Sequence, residues 1–128
     1  MENHEDKNYL KKRKKAFGHA WDGLKSFPKE AHAKIHIIAA MVVLGLAFAL
    51  EVKGTELLLL LLCIALVISA EMLNSAFERL CDALHPEQHP LIKEGKNLAA
   101  GAVLVCSGIS AAIGLFIFGQ KLLHLLEQ

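Results

Sequence analysis

Apolar residues fall in three long blocks separated by short polar stretches, and this alternation sets the expected architecture. The clearest block is Leu98 to Phe118, 21 uncharged residues, enough to cross a bilayer as a helix. A second begins at Leu57 with six consecutive leucines, but its uncharged run ends at Ala70 after 14 residues. A span over 57–77 therefore takes in Glu71, Asn74 and Ser75. The first block, Ile35 to Leu50, has 16 residues; starting it at Ala31 gives 20 and brings in Lys34 and His36 near the interface, where Lys34 can snorkel. Gly54 marks a turn in the link 51–56. Helical patterning continues past the second block to about Leu84, and Pro86 and Pro90 then mark a loop.

Ahead of these blocks the period changes. Leu10, Phe17, Trp21 and Leu24 recur at spacings of 7, 4 and 3, one helical stripe whose opposite face is rich in lysine. A basic helix with Trp and Phe on its apolar face lies in the membrane interface. The expectation is a single-domain, all-α membrane protein over 1–128. It has a polar, disordered tail at 1–8, an interfacial amphipathic helix at 9–27 and transmembrane helices at 31–50, 57–77 and 98–118.

Composition agrees with this pattern. The chain is 54% hydrophobic, with a mean hydropathy of +0.39. The net charge of +1 says little, but its placement does: Lys7, Lys11, Lys12, Arg13, Lys14 and Lys15 form a basic arm. The arm is too short and lacks the reading surface for nucleic acid, and anionic headgroups suit it better. No apolar stretch or small-residue cleavage site follows it, so it does not read as a signal peptide. Cys63, Cys81 and Cys106 are odd in number and widely spaced, and form neither a disulfide framework nor a zinc motif. Lys and Arg concentrate in the N-terminal region and in 78–96, which places both on the cytoplasmic side and the C-terminus outside.

The chemistry lies where the second block ends. Glu71, Asn74, Glu78 and Asp82 are separated by 3, 4 and 4 residues and share one narrow helical stripe. Carboxylates at membrane depth are costly and mark function. Such a stripe can supply a general base for a hydroxyl and hard oxygen ligands for Mg²⁺, with Lys93 and Lys96 beyond the loop to offset phosphate charge. A non-enzymatic protein that carries protons or exports small molecules through Glu71 is the alternative. Gly95-Lys96 is not a Walker A loop, because Asn97 replaces Ser or Thr and the upstream glycine is missing. His85 and His89 are four apart, but Pro86 interrupts a helical ligand pair.

The run EMLNSAFERLCD at 71–82 resembles the E-x-x-N-[ST]-A-x-E-x-x-x-D signature of the small bacterial lipid kinases, the prokaryotic diacylglycerol kinases and the related undecaprenol kinases. HPLIKEGKNLAAGAVLV at 89–105 resembles that family's second block, and KAFGHAWDGLK at 15–25 and Glu30 fit as well. The resemblance implies a homotrimer with shared sites that transfers the ATP γ-phosphate to a lipid hydroxyl with Mg²⁺, in the bacterial inner membrane and in phospholipid metabolism. It implies Glu71 as the base that takes the hydroxyl proton, supported by Asn74, and Glu30 and Glu78 as holders of the metal with ATP. It also implies Lys96 on phosphate, Lys12, His19, Glu87, Gln88, His89 and Asn97 near the nucleotide, and Trp21 and Ala100 near the lipid. The chain departs from the family's pattern at Asn97, where an aspartate is usual, at His19, where an aromatic is common, and at His36, where enteric diacylglycerol kinases carry an acid. His36 and the His89-Pro90-Leu91 run lean towards the undecaprenol-kinase branch. Diacylglycerol and undecaprenol both remain open as the lipid.

Overall fold

The computed structural model describes residues 4–84 and 89–127. They form α1 (His4–Ser26), a 3-10 turn at Phe27–Lys29, α2 (Ala31–Ala49), α3 (Gly54–Leu84) and α4 (Pro90–Leu126). The last three are each long and apolar enough to cross a membrane. α1 begins at His4 rather than Tyr9, so part of the stretch expected to be disordered is helical. α3 and α4 also run past 57–77 and 98–118 at both ends, because polar flanks can continue a helix beyond an apolar run.

α3 and α4 form the main pair. α2 leans on α3, and α1 packs on the Phe27–Lys29 turn. That turn buries Phe27 and carries Pro28, whose fixed φ suits the start of a helical turn. Leu10, Phe17, Trp21 and Leu24, the stripe on α1, all stay exposed. The three long helices expose large apolar side chains almost all round, as with Phe48, Leu104 and Leu115. In water that surface would drive aggregation, whereas in hydrocarbon it is the lipid-facing side.

A small core closes one end of the bundle. Ala47, Val52, Leu60 and Ile117 are buried together, ringed by Val43, Leu57, Ile113 and Phe118. The chain enters it through a Schellman motif: Val52 N–H donates to the Ala47 carbonyl at 2.8 Å and Glu51 N–H to the Phe48 carbonyl at 3.2 Å. Glu51 holds the left-handed position of this motif, φ 51°, where glycine is usual. Lys121 and Glu56, 2.9 Å apart, tie α4 to α3 at the same end. The polar stripe of α3 lies at the other end.

Candidate functional site

α3 runs from Gly54 to Leu84 without interruption, so the stripe read from the sequence is a real face. Exposure rises along it. Glu71 is 3% exposed and Asn74 is 7%, Glu78 is half-buried and Asp82 is exposed. The eleven residue steps from Glu71 to Asp82 span about 16 Å at 1.5 Å per residue. One helix thus carries acceptors from a dry interior to its open end.

The buried end is incompletely satisfied. Oε2 of Glu71 lies 3.8 Å from Nε2 of His36 on α2. Oε1 of Glu71 and Oδ1 of Asn74 have no hydrogen-bond partner among the described residues. Buried acceptors without donors are costly and call for an explanation. The two oxygens stand one helical turn apart on the same face of α3.

Beside this end, α2, α3 and α4 enclose an open-sided cavity of about 570 Å³. Its lining is mainly apolar, including Ile35, Val43, Ile64 and Leu115, and His36 stands in the wall. The Oγ atoms of Ser107 and Ser110, also on the wall, are buried and unpartnered among the described residues.

At the open end, two ion pairs cross between elements. Arg79 pairs with Glu30, which follows the 3-10 turn, and Lys96 Nζ donates to Asp82 Oδ1 at 2.8 Å. Lys96 lies ahead of the 98–118 span. The hydrogen bond to Asp82, aided by the charges of Asp82 and Glu78, holds the Lys96 ammonium above its ordinary pKa of 10.5, against some desolvation. His89 caps α4: its Nδ1 accepts from Leu91 N–H at 3.3 Å, and Pro90 takes the first helical position.

The expected site residues are therefore drawn together in part. Glu71 and Asn74 share the buried end, and Arg79 carries Glu30 to the residue beside Glu78. Lys96 meets the same helix at Asp82. Asn97 faces a separate open groove of α4 with Glu94, Leu98 and Gly101, and Ala100 is exposed. Lys12, His19 and Trp21 are exposed on α1 and form no ion pair with α3 or α4 among the described residues. Lys25 sits over the Trp21 ring at 5.8 Å. Glu87 and Gln88 lie outside the described residues, as does His85.

A metal shared with nucleotide phosphates needs only one or two protein carboxylates. Glu30 and Glu78 fit that donor type, although among the described residues no three His, Cys, Asp or Glu side chains converge. Sequence reasoning missed the contact of His36 with Glu71 and the ion pair of Arg79. The available signals were a histidine inside the first apolar block and an arginine beside an acidic stripe.

The family model described as "Prokaryotic diacylglycerol kinase" matches residues 18–118. The chain is 37% identical over 123 residues to the undecaprenol kinase of Bacillus subtilis (strain 168), covering 95% of this chain and 100% of the relative. It is 33% identical over 92 residues to the diacylglycerol kinase of Escherichia coli (strain K12), covering 71% and 75%. It is 34% identical over 112 residues to the diacylglycerol kinase of Helicobacter pylori (strain J99), covering 87% and 84%.

Proposed function

Because the chain belongs to the prokaryotic diacylglycerol kinase family, and is a membrane lipid kinase, we propose that it moves the ATP γ-phosphoryl group to a lipid hydroxyl held against Glu71. The observation that carries this reading is the buried Glu71 carboxylate, whose Oε1 has no donor among the described residues. A lipid alcohol anchored in the bilayer brings its hydroxyl to that depth, and a soluble nucleotide reaches the open end of the same helix.

In this reading Glu71 accepts the hydroxyl proton as the lipid oxygen attacks the γ-phosphorus. Asn74 accepts or donates a hydrogen bond beside it and keeps the hydroxyl in line. Glu30 and Glu78 would hold Mg²⁺ together with phosphate oxygens, where it would supply neutralisation of phosphate charge. In the free protein Glu30 is occupied by Arg79 and Lys96 by Asp82. With nucleotide bound, Glu30 would leave Arg79 for the metal and Lys96 would leave Asp82 for phosphate. Lys12, His19, Glu87, Gln88, His89 and Asn97 complete the nucleotide site, and Trp21 and Ala100 border the lipid. Lys12 and His19 stand on an exposed helix, which fits an assembly in which three copies share their sites. The N-terminus and the nucleotide side face the cytoplasm and the C-terminus faces outward.

We propose undecaprenol as the lipid. The relative named for it aligns over its whole length, and His36 and His89-Pro90-Leu91 lean the same way. Diacylglycerol is the second reading, favoured by the names of the other relatives. Family membership gives no support to a transport role for Glu71. The test is an ATP-coupled assay of protein in mixed micelles with Mg²⁺, offering each lipid separately. The reading predicts phosphorylation of undecaprenol in preference; preference for diacylglycerol overturns the choice of lipid, and no turnover of either overturns the reading as a whole.

A further inference from the structure

Phosphoryl transfer to a lipid alcohol leaves a proton on Glu71, and the residues assigned so far neither orient that carboxylate nor take the proton away. A catalytic base is normally oriented by a third group and must be reset before the next cycle. Glu71 sits where water reaches it poorly, with a side chain 4% exposed. Its partner across the helix interface is His36, whose Nε2 is 3.8 Å from Oε2 and whose side chain is 21% exposed. The imidazole also forms part of the wall of the 570 Å³ cavity. It therefore bridges a dry carboxylate and an open space.

The surroundings leave His36 few other partners. From α3 it is faced by Glu71, and Cys63 of the same helix lines the cavity farther along. From α4 the cavity wall brings the uncharged Ser107 and Ser110. On its own helix the exposed His32 lies one turn before it, with exposed Lys34 between. In the preceding turn Lys29 is exposed, and Glu30 beyond it is paired with Arg79.

We propose that His36 is a positioning and proton-accepting partner of Glu71, an inference that rests on Glu71 being the base. The imidazole engages Oε2 and thereby presents the partnerless Oε1 to the lipid hydroxyl. In the transfer step the lipid O–H bond breaks and its proton goes to Glu71. The lipid oxygen bonds to the γ-phosphorus, and the bond from that phosphorus to the bridging oxygen breaks, with its electron pair leaving on ADP. The carboxyl proton then passes to unprotonated Nε2 of His36, restoring the carboxylate, and leaves to water from the exposed edge of the ring. A separation of 3.8 Å is longer than a hydrogen bond, and such contacts tighten when substrate is engaged.

Two measurements on the full chain in micelles test this. The first compares the His36 ring resonances by NMR at one pH, without lipid or nucleotide, in the wild type and in Glu71→Gln. The pairing predicts displaced ring resonances in the variant, because the group beside Nε2 has changed; unchanged resonances overturn the pairing. The second measures kinase activity of His36→Ala over a range of pH, with and without added imidazole. The proposal predicts a fall in kcat on the order of tenfold or more, little change in KM for ATP, and recovery with free imidazole. A variant that is not rescued, and whose pH profile parallels the wild type, contradicts a proton-accepting role. If Glu71→Gln keeps wild-type turnover, the base assignment falls and the relay with it. If Glu71→Gln is inactive while neither the ring resonances nor the rescue respond, the base stands and the role of His36 alone is overturned.

Discussion

The ring of Phe77 on α3 stands where a side chain on Gly95 of α4 would begin: a Cβ at Gly95 would lie 3.1 and 3.2 Å from two ring carbons. This approach brings α4 against α3 just before Lys96 reaches Asp82. Glycine here serves packing. Gly95→Val should destabilise the protein by about 1–3 kcal/mol through overpacking. Phe77→Ala in the same chain should recover much of that loss, because the two changes share one contact. Thermal unfolding of the single and double variants in detergent checks the coupling; simple additivity would refute it.

The link between α2 and α3 offers a second test. Glu51 occupies the left-handed position that closes α2, at φ 51°. Its carboxylate pairs with Lys53 at 2.8 Å, and the hydrogen bond to Lys53 pulls its pKa below the usual range. Both partners are exposed, so the pair adds little to stability. Backbone preference should therefore dominate. Glu51→Gly should raise the unfolding midpoint and Glu51→Val should lower it. A fall with glycine would mean that the ion pair outweighs the backbone term.

In the proposed site, Lys96 is the phosphate contact and gives ATP binding an alkaline limb. Its folded-state pKa is raised, chiefly by the hydrogen bond to Asp82. The stabilisation it contributes is complete below the unfolded value of 10.5 and is lost as pH rises through the higher folded value. Asp82→Asn should move the alkaline limb of ATP affinity to lower pH while leaving affinity near neutrality intact or improved. Lys96→Met should weaken ATP binding and reduce its salt dependence. Isothermal titration across pH and ionic strength reads both effects.

The pairing of Arg79 with Glu30 predicts opposite responses to magnesium. Glu78→Gln removes a proposed ligand and should raise the Mg²⁺ concentration needed for half-maximal rate. Arg79→Ala frees Glu30 and should lower it. Two variants shifting in the same direction would separate this ion pair from the metal site.

How much of this was legible in the sequence depended on the range of each interaction. Glu71 and Asn74 announced themselves by breaking an apolar run, and the helical period alone put Glu78 and Asp82 on the same face. The stripe is a one-helix feature, so local geometry was enough. The Glu30–Arg79 and Glu71–His36 contacts depend on how α2 crosses α3. In an apolar solvent that crossing is set by close packing and small residues, which hydrophobic periodicity does not encode. The ends of α3 and α4 were also underread, because a bilayer limits the apolar run and not the helix. α1 shows the reverse case: its stripe was plain, and the fold leaves Leu10, Phe17, Trp21 and Leu24 exposed.

The most direct measurement is single-turnover phosphorylation of a lipid alcohol by Glu71→Gln in nanodiscs, with ATP binding followed in parallel. The amide keeps the size of the side chain and its place beside His36 but cannot take the hydroxyl proton. A buried general base predicts a loss of at least about a hundredfold in the chemical step, with nucleotide affinity unchanged. Turnover near that of the wild type would show that the proton goes elsewhere, and that the depth of Glu71 serves another purpose.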